Sequence, residues 1–255
     1  MSMYTGLSGI KAANTDLATT SHNIANASTT GFKNSRTEFG DLVGGSCGGS
    51  DSGLGVRVQA INQLFQQGGV ITTGNALDLA ITGCGFFQVQ GTAEGAPTLY
   101  TRAGSFHIDA EGRIVNNLGQ QLQGTEGPLQ FEADSLPLSN ITINDDGTMS
   151  ATGSDGAMVS PEGGAIGLVD FPNTQGLKKI SDTQWAESVD SGAPTDIAAP
   201  PANIGTIMSG ALEASNVDLT EQLVNMIIAQ RNFQANSKTI TVNNTLTETV
   251  TNMIR

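Results

Sequence analysis

The chain has 255 residues, only 14% of them charged, and acidic side chains outnumber basic ones 24 to 11 for a net charge of −13. This length can bury a sizeable core in one large or two modest domains. The acidic excess argues against nucleic acid and anionic membrane surfaces as partners, because both require basic patches.

In chain order, the N-terminal segment reads as a helix. Met3 or Tyr4, Leu7, Ile10, Leu17 and Ile24 recur at steps of three, four or seven, a narrow seam of the coiled-coil kind interrupted by Asn14 and Ser21. The segment has no basic n-region, and Thr5, Gly6, Ser8 and Lys11 interrupt any apolar core, so it does not read as a cleavable signal peptide. No run in the chain approaches the roughly 18–20 apolar residues that span a bilayer. Thr30-Gly31-Phe32 closes the helix, and Phe32, Phe39, Leu42 and Val43 give intermittent apolar contacts to an extended arm. A Gly/Ser-rich linker follows over 44–55 and carries Cys47. Cys47 and Cys84 are too few for a disulfide framework and lack metal-site spacing; a bridge between them and two free thiols are the alternative readings.

From Val56 the apolar period changes to two. VRVQAINQLF, GGVITT, LDLAITGCGFFQVQ, TLYTRAGSFHID and GRIVNNLGQQLQG are short β-rich runs cut by Gly, Asn and Asp. Asp109-Ala110-Glu111-Gly112 and Asp145-Asp146-Gly147 are turn signals. ITINDDGTMSAT and AIGLVDF are further strands, GLKKI with Trp185 reads as a compact corner, and a last strand over 205–213 feeds the C-terminal block. That block, 215–255, contains no Gly or Pro in a chain with 32 and 8 of them, and reads as one long helix capped by Asn216 or Asp218. Leu219, Leu223, Met226, Ile227, Phe233 and Ile240 recur mostly at three- and four-residue steps. A helix of this length requires a partner, and the N-terminal seam supplies one, within the monomer or in other copies.

The expected fold class is α+β: terminal helices over 1–31 and 215–255 paired in a coiled-coil-like domain, an arm and linker over 32–55, and an inserted, mainly antiparallel β-domain over 56–214. Residues 101–200 hold 14 acidic against 4 basic side chains, whereas 215–255 holds three of each. The middle therefore reads as a solvated exterior and the ends as a buried or assembling part. A search for chemistry returns almost nothing. His22 and His107 have no ligand-spaced partner, and neither a phosphate loop nor a nucleophile elbow is present, so the sequence implies no cofactor, no small-molecule substrate and no enzyme.

Several motifs carry a resemblance. Asn23-Ile24-Ala25-Asn26-Ala27-Ser28-Thr29-Thr30-Gly31-Phe32-Lys33 resembles the N-terminal signature of bacterial flagellar rod and hook proteins. Leu77–Ile81, Gly85-Phe86-Phe87, Tyr100–Phe106, Glu213–Leu219, Leu223–Ile227 and Gln230-Arg231 resemble the same family in the same order, so the likeness spans nearly the whole chain. It implies a subunit exported through the flagellar type III apparatus without a cleaved signal. Outside the cytoplasm, such a subunit polymerises into a helical tube with the terminal helices inside and β-domains outside. The partners implied are further copies of itself, adjacent rod proteins, hook–filament junction proteins and the export apparatus. Leu7, Ile10, Leu17, Ile24, Leu219, Leu223, Met226, Ile227, Phe233 and Ile240 would carry the inner packing, and Phe32, Phe39, Leu42 and Val43 an inter-subunit arm. The short linker and the motif at Gly53–Val58 put a torque-transmitting hook first and a distal or proximal rod protein second. A secreted β-rich binding protein is the rival from another class.

Overall fold

The computed structural model describes residues 2–43, 53–91, 96–132, 136–181, 183–195, 200 and 204–253. Two helices flank a mainly antiparallel β region, an α+β fold. The chain forms two compact units, one from 1–27, 34–64 and 217–255, the other from 28–33 and 65–216.

The first unit is built from α1 (Ser2–Ala25), α2 (Leu219–Met253) and a hairpin of β1 (Ser35–Val43) with β2 (Gly53–Gln63). The run at Val56 therefore pairs with the arm. Asp218 caps α2: its Oδ1 accepts the backbone N–H of Thr220 at 2.8 Å and of Glu221 at 3.3 Å, which satisfies donors the first turn cannot pair internally. A Cβ added at Gly6 would lie 3.2 Å from Ile240 Cγ1, and one at Gly9 would lie 2.7 Å from Asn236 Nδ2. At the other end of the pair Asn23 Nδ2 donates to Gln222 Oε1 at 3.2 Å. The helices are thus antiparallel, and the two glycines permit the close approach. By this register Ser2 is about level with Asn243, so among the described residues no helix lies opposite 244–253.

The second unit holds an eight-stranded antiparallel sheet. Its spatial order is Lys178–Ser181, Gln184–Ala186, Thr98–Thr101, Phe86–Gln90, Gln121–Leu122, Ile114–Asn116 and Phe106–Ile108, with Leu168–Val169 pairing the start of Phe86–Gln90. The corner around Trp185 is accordingly an edge hairpin. Successive side chains on a strand face opposite ways, and Phe86 and Phe87 use this to anchor two cores. Phe87 joins Leu79, Ile81, Val89, Ile114, Leu122 and Leu168, whereas Phe86 stacks edge-on with Trp185, Phe171 and Phe65. The segment before α2 is two strands, Gly205–Ser209 and Ala211–Glu213, broken at Gly210 (φ +74°). The first pairs with Leu79–Gly83 and the second with Val70–Thr72.

Candidate assembly surface

The seam between α1 and α2 is polar and small on its α1 side and mixed on its α2 side. On α2 it consists of Gln222, Met226, Ala229, Phe233, Asn236, Ile240 and Asn243, with Gln222 and Ala229 buried, Phe233 exposed and the others half-buried. On α1 the matching positions are Gly6, Gly9, Ala13, Asp16, Thr20 and Asn23, at alternating steps of three and four. Asn23 is its hub. Its side chain donates to Ser35 O at 2.8 Å and accepts from Ser35 N at 2.9 Å while holding Gln222, so one amide ties α1, α2 and β1.

Most of the apolar residues on these helices lie elsewhere. Leu7, Ile10, Leu17 and Ile24 each follow a seam position by one residue, about 100° round the helix; Leu7 is exposed and the other three are half-buried. Met226, Phe233 and Ile240 lie on the seam at steps of seven, with Phe233 39% exposed. Leu219, Leu223 and Ile227 are each about half exposed on one flank. A further row, Val224, Ile228, Ala235, Val242, Leu246 and Met253, runs along the far side of α2 at steps of four and seven and is exposed throughout. Monomeric proteins seldom leave a continuous apolar row of this length exposed.

Of the arm residues, Phe39 and Leu42 are exposed on β1, and Val43 ends that strand. Phe32 belongs to the second unit, where it is buried beneath the Lys179 ammonium, 5.1 Å from the ring centre. Cys84 is exposed, and Cys47 lies outside the described residues.

Local sequence patterns gave no sign of one feature of the second unit, a buried charge cluster. Glu213 Oε1 accepts from Lys33 Nζ at 2.6 Å and from Gly68 N at 2.9 Å, and Oε2 accepts from Arg102 Nη1 at 3.4 Å. All three charged side chains are essentially inaccessible to solvent. Lys33 Nζ also donates to Gln66 O at 2.7 Å, and Arg102 Nη2 to Gly83 O at 2.9 Å, which offsets much of the desolvation penalty. Burial pushes the Lys33 ammonium below the ordinary lysine range, and Glu213 pulls it partly back. The backbone closes the same knot: Gly31 N donates to Glu213 O at 2.8 Å and Ala214 N to Gly69 O at 2.7 Å. Gly31 (φ +68°) allows this, because a Cβ there would lie 2.6 Å from Ala103 N. The cluster fastens the segments that enter and leave the β unit and offers no reactive group. Among the described residues no group of three His, Cys, Asp or Glu side chains could hold a metal ion, and no helix is long and apolar enough to cross a membrane.

Residues 3–33 match the flagella basal body rod protein family, residues 80–151 the flagellar hook protein FlgE/F/G D1 domain, and residues 208–253 the C-terminal region of the flagellar basal body rod FlgEFG proteins. The flagellar basal-body rod protein FlgG of Bacillus subtilis is 38% identical over 100% of this chain and 99% of its own length. FlgG of Borreliella burgdorferi is 31% identical over 99% and 98%. The flagellar hook protein FlgE of Rhizobium meliloti is 35% identical over 84% of this chain but 57% of its own length. With a full-length relative of this similarity and matches at both ends and in the middle, the chain belongs to the flagellar basal-body rod and hook protein family.

Proposed function

We propose that this chain is a structural subunit of the flagellar rod, polymerising through its helical unit within the basal body and playing no part in catalysis. The observation that carries the polymerisation is the row of apolar side chains on α2 left exposed by a single chain, beside an intrachain seam whose α1 side is made of small and polar residues. A helix with such a face gains its stability from neighbours. Two different surfaces meeting from copy to copy generate an open helical array.

The motif-level resemblance favours a hook, but the relatives favour the rod. The rod proteins are matched over nearly their whole length, whereas 43% of the hook protein's length has no counterpart in this alignment. Further expectations of the rod reading are contacts with adjacent axial proteins and export through the flagellar type III apparatus without cleavage of a signal.

Electron microscopy of the concentrated, purified chain tests this directly. Straight tubes are expected. Curved tubes would return the assignment to the hook, and a chain that stays monomeric at every concentration and salt would overturn the axial reading.

A further inference from the structure

The far side of α2 and the groove beside its first turns differ in charge. Arg231 and Lys238 sit seven residues apart along the exposed row that runs from Val224 to Met253, and among the described residues neither enters an ion pair. Near the start of α2 lies a groove of about 290 Å³ whose lining includes Asp16, Phe39, Glu221 and Ile228, together with one cation, Arg36, which is paired with Glu38 at 3.1 Å. Asp16 and Glu221 likewise have no cationic partner among the described residues. Burial alone pushes the Asp16 carboxyl above the ordinary range.

We infer that this groove receives the Arg231–Lys238 stretch of α2 from a second copy of the chain. The inference rests on the polymerisation proposed above and names the surfaces that meet. Both chemistries are present at each surface. Phe39 and Ile228 offer apolar contact to Ala235 and Val242 of the incoming helix, while the two carboxylates face its two cations. One chain cannot make this contact with itself. Glu221 precedes Arg231 by 10 and Lys238 by 17 positions on one rigid helix, about 15 and 25 Å along its axis. A second copy staggered by that distance brings the two together. Its own groove then remains open for a third copy.

Charge reversal tests the contact. The double variant Arg231→Glu/Lys238→Glu should raise the concentration needed for tube formation at least tenfold. Adding Glu221→Lys should restore assembly to within about threefold of the original. Adding Glu248→Lys, which changes the net charge equally at the far end of α2, should not. Trp185 fluorescence confirms in each case that the β unit is folded. Assembly of the double variant at the original concentration, or equal rescue by both lysines, overturns this placement while tubes of the unaltered chain leave the rod reading intact. Failure of the unaltered chain to form tubes overturns both. A measured axial offset between contacting α2 helices outside about 15–25 Å overturns the placement independently.

Discussion

Glu213 holds two buried cations with one carboxylate, and this arrangement depends on all its parts. Glu213→Gln would leave Lys33 and Arg102 buried without a counter-charge, a change of the kind that costs about 3–5 kcal/mol. Urea unfolding followed through Trp185, itself buried in the aromatic core, should show that loss, with Lys33→Met costing less because it removes the cation together with its desolvation penalty. The three residues lie 180 and 111 positions apart in their pairings, and each reads locally as an ordinary strand or turn residue. No periodicity reports on a partner so distant. Asp218 is the opposite case: a short polar side chain before a long Gly- and Pro-free block is legible as a cap, and the structure selects it over Asn216.

At the scale of elements, helices and most strands follow from spacing, because an apolar period of two or 3.6 is set by the geometry of the backbone. The α1 side of the α1–α2 seam does not. Apolar spacing points to Met3, Leu7, Ile10 and Leu17, but the helices meet one position earlier, where Gly6 and Gly9 let the backbones close and Asn23 binds Gln222. Small and polar residues carry no signal in a hydrophobic pattern. Gly9→Val should therefore weaken the pair, since its Cβ would lie 2.7 Å from the side-chain end of Asn236 and force that side chain to swing away. The expected outcome is loss of helical circular dichroism with unchanged Trp185 emission; an unaltered spectrum would show that the seam yields. The last strand, read as one, is two, because Gly210 turns the chain between partners.

For the whole molecule, the order helix, β, helix was legible in composition, with glycine, proline and acid concentrated in the middle and a neutral, uninterrupted block at the end. What the order could not give is how far each helix finds a partner in its own chain. Residues 244–253 have none opposite them on α1, and Leu246, Val250 and Met253 are exposed there. Limited proteolysis of the monomer should therefore cut first within 244–253, and the same bonds should be protected in tubes. Equal cleavage rates in the two forms would mean that assembly leaves this end uncovered.

The knot at Glu213 has one more consequence. Gly69 and Ala214 are joined there by a 2.7 Å hydrogen bond, so the chain's route from the β1–β2 hairpin into the β unit and its route out toward α2 begin at one place. A segment whose two ends coincide is a cassette. It can be lengthened, replaced by a different fold or cut down to a tight turn without altering the spacing its flanks must keep. A single helical scaffold could thereby be fitted with different exteriors, each grafted at the same two positions.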